Sequence, residues 1–207
     1  MAFFNQHRFP QLFQLFQTWL GGTHDKQKLA LLKYQNQKRI LEVGCSVGNI
    51  AEAFRGFESI EYTGIDIDPA VIDYAQMSFS KHPNFQFVCQ DLKTYQLAGQ
   101  PFDFILFAGV CHHIPDVECQ NLFKAARQLL ADNGKLIVVD ILKPEPEDSW
   151  LLHRYINIDQ GEYIRSDASL RILIQGVSKI KEAEIHFVGA SPVSFPLVAR
   201  FGVYTLS

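Results

Sequence analysis

Hydrophobic positions along the chain change their spacing several times, and each change marks a predicted element. Apolar residues recur at helical spacing from position 9 to 20, and Gly21 and Gly22 end that pattern. A second short helix is expected over residues 25–34. We interpret this N-terminal segment as an amphipathic cap that packs on the core, and the same helices are also suited to form a lid over a pocket.

From Arg39 onwards, short apolar runs alternate with helical patterns, and such runs predict strands buried on both faces. The alternation predicts an α/β fold, namely a Rossmann-like, doubly wound and mostly parallel sheet with helices on both faces. A turn at Asn133 and Gly134 is expected to lead into the fifth strand. The predicted strands are 39–43, 60–66, 84–88, 102–108 and 135–141, and the predicted helices between them are 50–56, 69–81 and 116–131.

After Ile141 the regular alternation stops. Two helical patterns follow over 150–159 and 166–180, and two strands over 184–188 and 200–206, joined by a loop with Pro192 and Pro196. No internal repeat or linker separates these parts, so the 207 residues are predicted to form a single domain. Its predicted parts are a helical cap (1–36), a core (39–141) and a C-terminal segment (142–207).

The amino-acid composition and net charge limit the classes of binding partner that we expect. Hydrophobic residues make up 47% and charged residues 20%, and the formal net charge is −3. This balance is typical of globular proteins and gives no electrostatic reason to expect nucleic acid or an anionic membrane surface as a partner. No apolar run has the length of a membrane span, and the N-terminus lacks the pattern of a secretory signal.

The four cysteines (Cys45, Cys89, Cys111 and Cys119) do not form a recognisable framework. No two of them stand in a C-x-x-C pair, and no Cys/His spacing suits zinc. We therefore predict free thiols that serve as small hydrophobic side chains in a reducing cytoplasm, and no metal site.

The segment after the first strand has the form of a loop that lets a ligand approach the backbone, with Gly44 and Gly48. It lacks the G-x-G-x-x-G of dinucleotide sites and the lysine of a phosphate-binding P-loop. Glu42 stands just before the loop, where a carboxylate disfavours a pyrophosphate and suits either a cationic ligand or the organisation of the loop through hydrogen bonds. S-adenosylmethionine (SAM) has a sulfonium and an ammonium group and no phosphate, so the pattern E-x-G-x-x-x-G favours SAM.

Residues 41–48 (LEVGCSVG) resemble the first motif of the class I SAM-dependent methyltransferases, L-[DE]-h-G-C-G-x-G, in their small-molecule branch. Ser46 stands where the family usually has Gly, and a positive φ at that residue would be strained. The resemblance covers about residues 39–141. It implies SAM as the cofactor and a seven-stranded sheet of order 3-2-1-4-5-7-6, with the last strand antiparallel. It also assigns cofactor contacts to ten residues: Glu42, Gly44, Cys45, Ser46, Gly48, Asp66, Ile67, Asp91, Leu92 and Ala108.

Two further acids follow strands at positions similar to the family's second and third motifs. Asp66 ends the second strand, where a carboxylate can accept hydrogen bonds from both ribose hydroxyls. Asp68 precedes a proline and is expected to cap the next helix instead. The resemblance implies that Asp91 accepts a hydrogen bond from the adenine amine and that the Leu92 backbone contacts the ring edge.

Two adjacent histidines, His112 and His113, follow the fourth strand and resemble the histidine-containing loop of this branch. A base is needed only if the methyl acceptor must lose a proton. We name both as candidate catalytic bases and prefer His113 as the one that faces the pocket; packing at the start of the next helix is the alternative for both. The strand end reads FAGV rather than [DNS]-P-P-[YFW], which disfavours methylation of amino groups in nucleic acid or protein.

Together these features predict an enzyme (EC 2.1.1.-) that transfers a methyl group from SAM to an O, N or C atom of a small organic metabolite, mainly by positioning. A methyltransferase-like protein that binds ligands with little turnover is the alternative, and an NAD-dependent oxidoreductase is a third reading. Arg154 and Arg165 are candidates for binding a carboxylate of the acceptor.

Overall fold

The computed structural model describes residues 22–150, 152–153, 161–189 and 198–206, and it contains a seven-stranded sheet of order β3-β2-β1-β4-β5-β7-β6. Strands β1 to β5 pair in parallel, and β7 is antiparallel to both β5 and β6. The predicted fold class and strand order are therefore confirmed. The strands are β1 (Arg39–Val43), β2 (Glu61–Asp66), β3 (Phe85–Cys89), β4 (Phe102–Ala108), β5 (Leu130–Ile141), β6 (Ile180–Gly189) and β7 (Val198–Leu206).

Two of the α-helices begin at a side chain that caps them. Asp68 accepts a hydrogen bond from the Ala70 amide at 3.0 Å and so caps the first turn, as predicted, with Pro69 at the first helical position. Ser166 caps the last helix through the Ser169 amide in the same way. The α-helices are α1 (Gly22–Leu31), α2 (Pro69–Ser78), α3 (Asp116–Leu129) and α4 (Asp167–Gln175), and short 3-10 helices span Ala51–Phe54, Leu92–Thr94 and Cys111–His113.

Several predicted bounds move by a few residues: the helix predicted over 166–180 ends at Gln175, and the strand predicted over 184–188 begins at Ile180. Two further elements differ in kind. The helix predicted over 50–56 is a single 3-10 segment, and β5 begins at Leu130 rather than after a turn at Asn133 and Gly134. Leu130 pairs with Phe102 and Lys135 with Phe104, so residues 131–134 bulge out of the register. The predicted helix over 9–20 and the Pro192/Pro196 loop lie outside the described residues, as does most of the segment 150–159.

Both faces of the sheet are covered, which explains the uninterrupted apolar runs of β1 and β4. Phe104 points to the face on which α1 and α2 pack, and Phe107 points to the face on which α3 and α4 pack. Parallel pairing places the carboxyl ends of β1, β2, β4 and β5 along one edge. This edge gathers the residues that the sequence singles out.

Among the helices that the structure describes, none is both long enough and apolar enough to cross a bilayer.

Candidate functional site

The glycine loop (residues 44–48) turns sharply after β1. Its backbone φ is +71° at Gly44, +48° at Ser46 and +83° at Gly48, all in the left-handed region. The amides of Gly44 and Cys45 both donate to the Ile65 carbonyl, at 2.8 and 3.1 Å. Ser46 therefore adopts the strained conformation that its departure from the motif predicts, and the loop is fixed against β2 despite that strain.

The glycine loop also abuts the histidine loop, which we define as residues 109–114 after β4. A side chain at Gly44 would place its Cβ 2.7 Å from a methyl group of Val110. Only a residue without a Cβ permits this approach. The two segments with candidate roles in cofactor binding and in proton transfer are therefore direct neighbours.

Asp66 connects the glycine loop to the end of β2. Its Oδ2 accepts a hydrogen bond from the Ser46 amide at 2.9 Å, and its Oδ1 accepts one from the Asp68 amide at 3.1 Å. Each carboxylate oxygen has a further lone pair, so the group can accept additional hydrogen bonds. The ribose contact assigned to Asp66 stays a prediction, and the structure adds a second role in holding the loop.

Glu42 lies under the glycine loop, with only 1% of its surface exposed. The Tyr62 hydroxyl donates a hydrogen bond to its Oε2. Burial raises the pKa of Glu42 to about 8, the Tyr62 hydrogen bond opposes the rise, and the Asp66 charge adds to it. Glu42 is thus mostly protonated at neutral pH in this structure, so its charge depends on whether a cation is bound nearby.

Asp91 and Leu92, in the segment similar to the family's third motif, lie in a short 3-10 turn without backbone strain. Asp91 accepts a hydrogen bond from the Lys93 amide at 2.9 Å and so caps a short 3-10 helix, and its carboxylate lies 3.3 Å from the Lys93 ammonium. Leu92 is buried, and Ile67, after β2, is 74% exposed. Ala108 ends β4 at the same edge. Their assigned contacts with cofactor stay predictions.

His112 forms a buried pair with Asp140, the acid near the end of β5. The His112 Nδ1 and an Asp140 carboxylate oxygen are 2.5 Å apart, and His112 is 3% exposed. The amides of Cys111 and Ile141 donate to the same carboxylate at 2.6 and 2.8 Å. Burial acts to raise the pKa of Asp140, but attraction to His112, the hydrogen bonds from His112 and the Ile141 amide, and the Lys26 charge lower it overall.

Asp140 is the functional candidate that the sequence reasoning missed. The available signal is an acid at the end of an otherwise apolar strand run, LIVVDI, because a buried carboxylate requires partners. His113, in contrast, is exposed, and its ring centroid lies 3.9 Å from that of His112. The structure therefore gives the two histidines different surroundings, and the preference for His113 stays a prediction.

Arg165 holds the histidine loop rather than an open carboxylate site. Its guanidinium donates to the carbonyls of Cys111 at 2.6 Å and Ile114 at 2.8 Å, and it pairs with Asp116 at 2.6 Å. Only 8% of Arg165 is exposed. Its donors are used within the protein, so it is poorly placed to bind an acceptor; Arg154 lies outside the described residues.

The site's chemistry suits a nucleoside with a cationic end. Asp66 offers acceptors for hydroxyl groups, and Glu42 is a carboxyl that a nearby cation would ionise. The Ser46 hydroxyl oxygen is buried and has no hydrogen-bond partner among the residues described. A bound polar ligand would supply that partner, so the residues present fit SAM.

A family model described as a methyltransferase domain matches residues 40–134. The ubiquinone biosynthesis O-methyltransferase of Coxiella burnetii is 32% identical over 112 residues, which cover 51% of this chain and 47% of that protein. The caffeic acid 3-O-methyltransferase of Catharanthus roseus is 29% identical over 119 residues, which cover 49% and 32%. The chain thus spans about half the length or less of these curated relatives.

Solved structures show the same fold at low sequence identity. The mitomycin 7-O-methyltransferase MmcR superposes with a TM-score of 0.71 at 15% identity, covering 96% of this chain and 59% of that one. Human N-acetylserotonin methyltransferase, solved in complex with SAM, gives a TM-score of 0.67 at 19% identity, covering 94% and 55%. These likenesses concern the fold alone.

Proposed function

Because the chain belongs to the class I SAM-dependent methyltransferase family, we propose that it transfers the methyl group of SAM to an oxygen atom of a small organic molecule. The observation that carries this proposal is the contact between the glycine loop and the histidine loop at one sheet edge. That contact brings a cofactor site and a candidate base together. Oxygen is favoured over nitrogen or carbon because the curated relatives are named O-methyltransferases and because a hydroxyl needs a base.

The residues proposed to hold the cofactor are those at the ends of β1, β2 and β3. Asp66 accepts hydrogen bonds from the ribose hydroxyls, Asp91 contacts the adenine, and Glu42 ionises beside the cationic end. The backbone of residues 44–48 gives close approach because two of its positions are glycine. SAM supplies an electrophilic methyl group on a sulfonium that is already a good leaving group, so most of the protein's task is positioning.

His112 is proposed as the base. Asp140 binds its Nδ1, fixes the ring orientation and stabilises the imidazolium, which assigns proton acceptance to Nε2. His113 is the competing candidate. Its ring contacts that of His112 at an interplanar angle of 44°, and the same experiment tests both.

Cofactor binding is tested first, by calorimetric titration with SAM, S-adenosylhomocysteine (SAH) and NADH. We expect saturable binding of SAM and SAH and no binding of NADH. Tight binding of NADH without binding of SAM would refute the proposed function. In Asp66→Ala, the lost acceptors predict a cofactor affinity at least about tenfold lower, since each hydrogen bond contributes about 1 kcal/mol or more. Asp73→Ala, at an exposed acid on α2, is the matched control.

The base is tested by transfer of labelled methyl from SAM to a panel of hydroxylated small molecules. His112→Gln is expected to reduce kcat by about 100-fold or more, the usual contribution of a general base, with SAM affinity unchanged. His113→Gln is expected to change kcat by less than about threefold. A large loss of kcat in His113→Gln with a small loss in His112→Gln would assign the base to His113. If no compound of the panel gains the labelled methyl group, the proposed oxygen acceptor is refuted.

Three expectations from the sequence belong to the same proposal. We propose that residues 1–207 act as one methyltransferase domain, with residues 142–207 on the acceptor side. We also propose a cytoplasmic location and a small-molecule acceptor rather than nucleic acid. The four cysteines are all free thiols, which agrees with a reducing compartment.

A further inference from the structure

A lysine on α1 projects over the acceptor end of the sheet edge. The Lys26 ammonium lies 5.8 Å from the centroid of the Phe201 ring, and Phe201 pairs with Ile141 next to Asp140. Within the segments that the structure covers, Lys26 makes no hydrogen bond or ion pair. The Lys26 ammonium therefore lies near the carboxyl ends of β4 and β5, and no carboxylate of the described residues contacts it.

Gly109 lies between this ammonium and the His112 ring. Its φ is +73°, and a Cβ at this residue would lie 3.1 Å from the Lys26 Nζ and 3.6 Å from the His112 Cε1. The Gly109 amide donates to the Val139 carbonyl at 2.8 Å, which fixes the backbone there. The ammonium and the imidazole therefore approach the same backbone position, and no side chain at that position separates them.

The position of Lys26 is set by the packing of α1. Leu29 and Ala30 are buried in the core, and the Gln27 side chain donates to the Asn49 carbonyl at 2.6 Å. Asn49 directly follows the glycine loop. Helix α1 therefore links the cofactor side of the edge to the acceptor side, and Lys26 is held beside Gly109 by a packed element.

The charges around Gly109 favour an anion. Asp140 contributes a negative charge, but its oxygens already accept bonds from His112 and from the amides of Cys111 and Ile141. The Lys26 charge acts on Asp140 through space and lowers its pKa. An ammonium with apolar and imidazole neighbours and no contacting carboxylate is a site for an external negative oxygen.

We propose that Lys26 binds the acceptor oxygen beside Gly109, on the side of the His112 ring, and stabilises the negative charge that forms as His112 takes its proton; this rests on the proposed function. The acceptor O–H proton passes to His112, and the oxygen forms a bond to the methyl carbon. The methyl–sulfur bond breaks, its electron pair stays on the sulfur of SAH, and His112 releases its proton to water. The acceptor is then a hydroxyl compound acidic enough to lose its proton to a histidine when its oxygen lies next to an ammonium.

The test uses para-nitrophenol, whose anion has a visible absorption band, added to the protein saturated with SAH so that no methyl transfer occurs. In the wild type, we expect the pKa of the bound probe to fall by about one unit or more, because the ammonium stabilises the anion. Lys26→Arg should retain the shift, and Lys26→Met and Lys26→Gln should lose it. Lys28→Met, at an exposed lysine of the same helix, should behave as the wild type.

The outcomes separate this inference from the proposed function. A probe that does not bind the wild type, or one with the same pKa in the wild type and in both Lys26→Met and Lys26→Gln, overturns the Lys26 site even if methyl transfer is observed. Labelled methyl transfer that is absent for every hydroxyl compound, with an intact probe shift, refutes the oxygen acceptor instead. Thermal unfolding of each variant establishes that a lost shift does not reflect a lost fold.

Discussion

Replacement of Glu42 by Gln should change how the stability of the protein depends on pH. The Glu42 carboxyl is fully buried, and its pKa moves from an ordinary value of 4.5 to about 8. Between these values the unfolded chain carries an ionised Glu42 while the folded protein keeps the proton. The folded state binds more protons, so its stability is greatest below the unfolded pKa and falls as pH rises towards 8.

The size of the effect follows from the two pKa values. One pKa unit corresponds to about 1.4 kcal/mol, so the full interval from 4.5 to about 8 corresponds to about 5 kcal/mol, as an order of magnitude. Glutamine has nearly the same shape and does not titrate. The difference in unfolding free energy, Glu42→Gln minus wild type, should therefore increase by about 1.4 kcal/mol for each pH unit between about pH 5 and 7.5.

Urea denaturation of the cofactor-free protein at several pH values measures this difference, and the titration of all other groups cancels in it. Glu58→Gln is the matched control because Glu58 is an exposed acid, and its difference from the wild type should be flat. A flat difference for Glu42→Gln as well would show that Glu42 is ionised in the folded protein. Glu42 would then be a permanently charged carboxylate beside the cofactor.

Three other substitutions test the local packing of the site. Ser46→Gly relieves a positive φ and should raise Tm by about 2 °C in a thermal scan; a lower Tm would mean that the left-handed backbone is not strained. Gly64→Ala places a Cβ 2.7 Å from the Phe87 ring and should cost about 1–3 kcal/mol in urea denaturation, whereas Gly56→Ala, which meets nothing within 4 Å, should cost little. Arg165→Met removes the donors that hold the histidine loop and should cost about 3 kcal/mol, with a larger loss in kcat than in SAM affinity; equal losses would refute the role in positioning.

The parts of the fold that depend on local signals could be predicted. The bounds of β1 and β4 coincide with the predicted apolar runs, and α2 begins at the predicted Asp68 cap. The start of β5 could not be predicted in this way. An Asn-Gly pair favours a turn locally, but pairing with β4 extends the strand back to Leu130 and leaves residues 131–134 as a bulge.

The residues of the candidate site can likewise be divided into those with a local sequence signal and those without one. The positive φ at Ser46 follows from a motif that is contiguous in sequence. The partner of His112 lies 28 positions later, and Lys26 lies on an element with no motif of its own. Neither residue belongs to a periodic pattern, since a single polar side chain at a sheet edge acquires its role only when the strands are assembled. The protonation of Glu42 likewise requires its burial beside Tyr62, which the loop motif does not encode.

Two buried carboxyl groups at the same sheet edge have opposite pKa shifts, and the difference agrees with the proposed chemistry. Glu42 has a neutral donor, Tyr62, so burial dominates and raises its pKa; Asp140 has His112, the Ile141 amide and the charge of Lys26, so its pKa is lowered. The β1 end therefore holds a proton that a cation can displace, whereas the β5 end holds a fixed negative charge that stabilises an imidazolium. A cationic methyl donor belongs at the first end and proton removal from an acceptor at the second.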